Sequence, residues 1–491
     1  MSTARLEQMT ERVRATCPTR RMGKVRQSLG VLVEATGPRA SVGDLCVIDG
    51  RSGPIPAEVV GFRDGRILLM SLVTTHGLPP GAAVVSTGGP LTALVGDGLL
   101  GRVVDGLGEP MDGKGPLCGV VRHPIEASSP RPLARRRIAT PLVTGIRAID
   151  GLITVGRGQR IGIFSGSGVG KSVLLGSIAR HARSHVNVIA LVGERGREVR
   201  EFIERDLDGS IARSVVVAAT SDQPPLVRIK AALLATTIAE FFRAQGRDVL
   251  FMMDSLTRVA TAQREIGLAA GEPPTTRGYP PSVFTLLPRL LERSGNDANG
   301  SITGLFAVLV ESDDMAEPVA DAARAVLDGH IVLSRRLAVA HHYPAVDVLE
   351  SVSRVMNDVV SRDHLRAASR VRELMAAYRE SQDAIQLGAY VRGSHSLVDE
   401  AIDAWPAITT FLRQDREKGC SLEETLDALG RLAGPMERNA PKDVNRQGAQ
   451  GGRIDEEVPV SVGRPAQSPG GNRAAEGPRA GAAPPGGPRR A

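Results

Sequence analysis

The stretch Ser165-Gly166-Ser167-Gly168-Val169-Gly170-Lys171-Ser172 constrains this chain more than any other. Arg160-Ile161-Gly162-Ile163-Phe164 precedes it and reads as a short buried strand. Val173–Arg180 follows and reads as the start of a helix. In that order, strand, glycine loop and helix let backbone N–H groups close around an anion, because glycine tolerates the left-handed φ that turns successive amides inward. The helix N-terminus adds partial positive charge. In such a loop Lys171 reaches the β- and γ-phosphates of a nucleotide and the Ser172 hydroxyl holds Mg²⁺. Residues 165–172 with Val173 form the expected nucleotide-binding set. The pattern Gly-x-x-x-x-Gly-Lys-Ser/Thr asks for glycine where this chain has Ser165, and Gly166 and Gly168 keep the loop permissive.

Two carboxylates extend this chemistry. Asp254 ends the expected central strand Asp248–Asp254, apolar over Val249–Met253, and precedes Ser255-Leu256-Thr257-Arg258. A carboxylate at the end of a buried strand can hold Mg²⁺, directly or through water, beside Ser172; it can also cap the following helix. Val192-Gly193-Glu194-Arg195-Gly196-Arg197-Glu198 follows the next expected strand, Val186–Leu191. In a parallel sheet that strand ends beside the phosphate loop, so Glu194 is placed to orient or deprotonate an attacking water and Arg195 to touch phosphate oxygens. Arg197 and Glu198 read as a solvated helix face. Further down, the X-Pro step in His341-His342-Tyr343-Pro344 imposes an extended turn that can present the Tyr343 ring to a planar base. His341 and His342 have no partner at metal-ligand spacing and read as structural.

At 491 residues the chain is too long for a single core. Residues 1–27 are basic, with Leu6, Met9 and Val13 at helical spacing, which fits an amphipathic helix or a solvated terminus. Residues 28–95 carry short β-type runs, Gly30–Val33, Leu45–Ile48, Glu58–Phe62 and Ile67–Met70, with a hairpin signal at Arg63-Asp64-Gly65-Arg66; they predict a small closed β-barrel. Residues 96–145 are rich in Gly, Pro and Arg and read as a connector. Residues 146–355 alternate strands and helices, as a parallel α/β nucleotide-binding domain does. Residues 356–435 read as helical, with Leu365, Ala368, Val371, Leu374 and Tyr378 along one face. Residues 436–491 turn to Gly, Pro, Ala and Arg and read as a disordered tail.

Cys17, Cys46, Cys118 and Cys420 are scattered and read as reduced thiols. The absence of a signal-peptide core predicts a cytoplasmic protein. A net charge of +7 raises the possibility of nucleic acid, but only 3% of residues are aromatic, which is poor material for base-stacking platforms.

Here a resemblance becomes specific. Asp105–Pro110, Ser165–Ser172, Val192–Glu198, Asp254–Arg258, Gly271–Ser282, Leu327–Arg335 and Tyr343–Arg354 occur in the order seen in the flagellar and type III secretion export ATPases, relatives of the catalytic subunit of rotary ATP synthases. The chain resembles that family over roughly residues 25–415, and a serine at the first loop position is common there. The resemblance implies a small β-barrel, a RecA-like nucleotide-binding core and a helical C-terminal domain. It also implies a homohexamer that hydrolyses ATP with Mg²⁺ at subunit interfaces and energises protein export, including chaperone release and substrate unfolding. By it, Glu194 is the catalytic carboxylate, Lys171 with Ser172 contacts phosphate and Mg²⁺, Arg195 is the neighbouring arginine, and Tyr343 stacks on adenine. Arg354 is then the arginine finger inserted into the neighbour's site, an element worth about 10³ to 10⁵ in turnover.

Implied partners are stator and central-stalk proteins, secretion substrates with their chaperones, and a membrane export gate at the inner face of the bacterial membrane, with no specific nucleic acid. Residues 385–402 resemble the export-ATPase form of the C-terminal domain, without the acidic loop of rotary catalytic subunits. A rotary head subunit is the alternative reading. An RNA-translocating hexamer is disfavoured, since Phe62 is the lone aromatic between residues 28 and 95.

Overall fold

The computed structural model describes residues 22–74, 77–310 and 314–434. The readings of residues 1–21 and of the tail from 435 lie outside them. Six antiparallel strands, β1 (Met22–Leu29), β2 (Leu32–Ala35), β3 (Asp44–Gly50), β4 (Gly53–Arg63), β5 (Arg66–Ser71) and β6 (Ala83–Pro90), close into a barrel in the order β1-β2-β5-β4-β3-β6. Its interior is filled by small and branched side chains, among them Val33, Ala35, Cys46, Ile48, Ala57, Val59 and Leu69. The β4–β5 hairpin turns on Asp64 (φ 48°) and Gly65 (φ 71°), the two positive angles that a tight two-residue turn requires. The barrel begins at Met22, six residues before the expected boundary at 28. β1 escapes sequence reading because only Gly23 and Val25 face inward, so the strand shows almost no alternation.

The segment read as a connector is partly sheet. β7 (Thr92–Val95) pairs with β9 (Val121–Pro124). Between them β8 (Val103–Asp105) joins the main sheet as its edge strand. Three residues within a turn-rich stretch give no periodicity to read.

The main sheet adds β10 (Arg160–Ser165), β11 (Val186–Val192), β12 (Ser214–Ala219), β13 (Asp248–Asp254), β14 (Gly295–Asn296), β15 (Ser301–Leu309), β16 (Gly329–Leu333) and β17 (Val346–Ser353). Its order is β17-β16-β10-β15-β13-β11-β12-β8, parallel except for β17; β14 pairs antiparallel with β15 off that path. Every residue of β11 and β12 is buried, as expected of strands covered on both faces. The long helix Pro225–Ala244 covers one face, and Phe251 and Phe306 meet edge-on beneath it at 5.8 Å, a contact worth about 0.5–1.5 kcal/mol beyond its area.

Three longer helices, Arg362–Gln386, Ser396–Leu412 and Leu422–Ala433, close the described chain. Ser361 caps the first, and Ser421 with Glu424 forms a capping box on the third. Ala368, Val371 and Leu374 are buried, while Tyr378 stacks on Trp405 at 3.9 Å. The bundle seats on the short helix Arg147–Leu152, where His364 hydrogen-bonds the Gly151 carbonyl at 2.8 Å. Among the described residues no helix is long and apolar enough to cross a membrane.

Candidate active site

Parallel pairing gathers the carboxyl ends of β10, β11, β13 and β15 along one edge of the sheet, where open α/β sheets bind ligands. The glycine loop leaves β10 there. Ser165 belongs to the strand, paired with Leu309 on one side and Leu333 on the other, so it needs no left-handed φ. Glycine is required further on, at Gly168 (φ 77°) and Gly170 (φ 96°). Gly170 caps the helix Lys171–His181 without a side-chain hydrogen bond, which leaves the first-turn amides to face the loop.

Three predicted residues come together at the loop's mouth. The Lys171 ammonium is bonded to the Asp254 carboxylate, and the Glu194 carboxylate stands 3.6 Å away. All three side chains are largely buried. Burial pushes the Asp254 carboxyl above its ordinary value; Lys171 opposes that and Glu194 reinforces it. Glu194 Oε1 is buried and meets no hydrogen-bond donor at bonding distance.

Next to exposed Ser172 in the chain, two carboxylates around one ammonium leave a net negative, oxygen-lined cluster. That chemistry fits a magnesium ion, which takes one or two carboxylates plus phosphate oxygens rather than a full protein cage. Among the described residues no group of three or more His, Cys, Asp or Glu forms such a cage.

Glu194 is aimed by its neighbours. Gly193 takes φ 75°, and a Cβ there would lie 2.7 Å from the Arg258 Cβ, so the arginine stem packs against the turn that precedes the carboxylate. Arg258 Nε is itself buried without a hydrogen-bond partner. Nothing in the sequence marked this residue except its place four positions after Asp254. Arg195, expected beside the phosphates, turns outward: its side chain is 81% exposed and lies 4.0 Å from Glu198.

Beyond the loop lies a mostly apolar cavity of ≈ 420 Å³, lined by Gly168, Gly170, Val173, Tyr343, Pro344 and residues Gln414 to Arg416. The Tyr343 ring flanks Gly170, within 3.5 Å of where a Cβ would stand. Its hydroxyl donates to the Ala338 carbonyl at 3.3 Å. Burial holds the neighbouring His342 imidazole below its ordinary pKa, as suits a structural group. The contribution of the helical domain through residues 414–416 carries no local sequence signal.

Arg354 is not brought to this cluster. In the antiparallel pair β16–β17, Val346 faces Leu333 at the loop edge and Ser353 faces Gly329 at the opposite edge. Arg354 follows Ser353, on the order of 20 Å from the loop edge at about 3.3 Å per residue. It is exposed, and among the described residues its guanidinium reaches the Arg324 carbonyl alone, at 3.4 Å.

A buried cation between two carboxylates, a glycine loop on a helix N-terminus and an adjoining apolar pocket define a P-loop nucleotide-binding protein. Comparison with known proteins narrows this. Residues 145–353 match the nucleotide-binding domain of the ATP synthase alpha/beta family, residues 25–88 that family's β-barrel domain, and residues 360–431 the T3SS EscN ATPase C-terminal domain. The chain is 54% identical over 422 residues to the flagellum-specific ATP synthase of Bacillus subtilis, covering 85% of this chain and 96% of that one. It is 51% identical over 429 residues to the type 3 secretion system ATPase of Xanthomonas euvesicatoria, covering 86% and 97%. The assembled ATPase EscN of enteropathogenic E. coli superposes with a TM-score of 0.80 at 44% identity, over 84% of this chain and all of that one. The chain belongs to the flagellum-specific and type 3 secretion ATPase family.

Proposed function

We propose that this chain hydrolyses ATP to ADP and phosphate in a cleft shared by two copies, and that a homohexameric ring built this way energises protein export through a flagellar or type III secretion apparatus. The Lys171–Glu194–Asp254 cluster at the mouth of the glycine loop carries the reading. Lys171 exchanges its bond to Asp254 for the phosphates when nucleotide enters. Ser172 and Asp254 hold Mg²⁺, which screens the phosphate charge once bound. Glu194 orients and accepts a proton from the attacking water. The amides of Ser165–Lys171 cradle the phosphates, and Val173 and Tyr343 bound the base.

Arg354, at the far edge of the sheet from its own loop, serves the neighbouring copy. The solved structures of EscN, one assembled and one in complex with its central stalk EscO, support a ring and a stalk partner for this chain too. Release of chaperones, unfolding of substrates and contact with a membrane gate follow from the same reading, and place the working enzyme at the inner face of the membrane. Glu194→Gln tests the assignment. Turnover should fall about 10²- to 10⁴-fold while nucleotide binding persists; full turnover in that variant would remove Glu194 from the chemistry.

A further inference from the structure

The base pocket has a wall from a different domain, and one side chain fastens that wall in place. Gln414 lies just after the helix Ser396–Leu412, in the loop that runs to the capping box at Ser421. Its backbone N–H donates to the Tyr343 carbonyl at 2.9 Å. Its side-chain amide oxygen accepts from the Arg147 N–H at 2.9 Å. Its amide nitrogen donates to the Gly145 carbonyl and to the Lys418 carbonyl, both at 2.7 Å.

Three segments therefore converge on one residue: the entry to the nucleotide domain, the aromatic side of the pocket, and the helical-domain loop. Two neighbours help from the loop helix, where Ser177 Oγ and the Arg180 guanidinium donate to the Arg416 carbonyl at 3.1 and 2.8 Å. Only an amide supplies one acceptor and two donors together at this length; glutamate offers acceptors alone, and asparagine is one methylene short.

We propose that Gln414 is a positioning residue for the nucleotide base. It holds residues 414–416 at the wall of the cavity that Gly170 and Val173 also line, and it keeps Tyr343 in register. The inference rests on the reading of this cavity as the base pocket of an ATPase. Gln414 touches neither phosphate nor the reacting atoms, so its loss weakens recognition of the base and spares recognition of the triphosphate.

The test compares two affinities on the full chain: KM for MgATP, and the inhibition constant of magnesium tripolyphosphate, which has phosphates and no base. Gln414→Leu should raise KM for ATP roughly tenfold, the loss expected from one or two net hydrogen bonds, leaving kcat and the tripolyphosphate constant nearly unchanged. Gln414→Glu, which keeps the acceptor for Arg147, should fall between. The ratio of the two constants does not depend on how much of a variant folds. A parallel weakening of ATP and tripolyphosphate, or an unchanged KM, overturns the proposal. A wild-type chain without ATP turnover overturns the parent reading instead, and this one with it.

Discussion

Among the described residues two lysines sit between pairs of carboxylates, and they stand in different backbone settings. Lys171, 11% exposed, is bonded to Asp254 with Glu194 at 3.6 Å. Lys230, 4% exposed, pairs with Glu58 at 2.6 Å and lies 4.0 Å from the exposed Glu126. In both clusters burial lifts a carboxyl above its ordinary pKa while the ammonium opposes the lift. Perturbed acidity therefore does not tell the two apart.

The framing elements do. Lys171 opens a helix behind a glycine loop at the carboxyl edge of a parallel sheet, where an entering anion can take over its charge. Lys230 lies in the second turn of the helix Pro225–Ala244, with no glycine loop before it, and meets Glu58 on β4, so it ties the barrel to the nucleotide domain. Similar charges form a reaction centre in one place and an interdomain latch in the other, according to what backbone surrounds them.

Exchanging each lysine for methionine should separate the roles. Lys171→Met should abolish turnover, since the phosphates lose their cation. Lys230→Met should leave KM for ATP unchanged and destabilise the fold by about 3–5 kcal/mol, because Glu58 stays buried without its partner. Adding Glu58→Leu should restore most of that stability, as replacing a buried ion pair by apolar side chains often does. Denaturant unfolding and steady-state kinetics on the same preparations check both halves. Equal losses of turnover from both lysines would erase the distinction.

A smaller effect sharpens it. Glu58 has a folded-state pKa above its unfolded value, so the folded protein holds this proton more tightly and stability declines as pH rises through the folded pKa. Removing Lys230 takes away the charge that lowers this pKa, so the decline extends to higher pH and becomes larger. The destabilisation of Lys230→Met relative to wild type should therefore shrink as pH falls into the window, above the ordinary carboxylate range, where Glu58 takes up a proton. A difference that stays flat across that window would mean the latch is not electrostatic.

The sequence made the active-site cluster legible because its parts are local. Asp254 directly follows the apolar run Val249–Met253, Glu194 follows Val188–Val192 after one glycine, and Lys171 follows Ile161–Phe164 across the glycine loop; parallel pairing brings the ends of such runs to one edge. The barrel and the helical region were readable from short β-type runs and from the Ala368–Val371–Leu374 face. What escaped has physical causes. β1 has polar residues on both faces, and β8 has three residues. Arg195 turns outward from an extended backbone position just before the short helix Gly196–Glu201, which its residue type alone does not reveal. Arg258 against Gly193, Lys230 against Glu58 and Gln414 against Gly145 are contacts across long separations, which no local pattern encodes.

The central claim is that one copy supplies Lys171 and Glu194 while its neighbour supplies Arg354, and complementation tests it most directly. Lys171→Ala and Arg354→Ala chains are each assayed alone and then mixed in equal amounts under conditions that let rings reassemble. Each alone should be nearly inactive. In the mixture about a quarter of the head-to-tail interfaces join an intact Lys171 half to an intact Arg354 half, and activity should rise well above the sum of the two. A mixture no more active than that sum, in rings shown to contain both chains, would contradict the shared cleft.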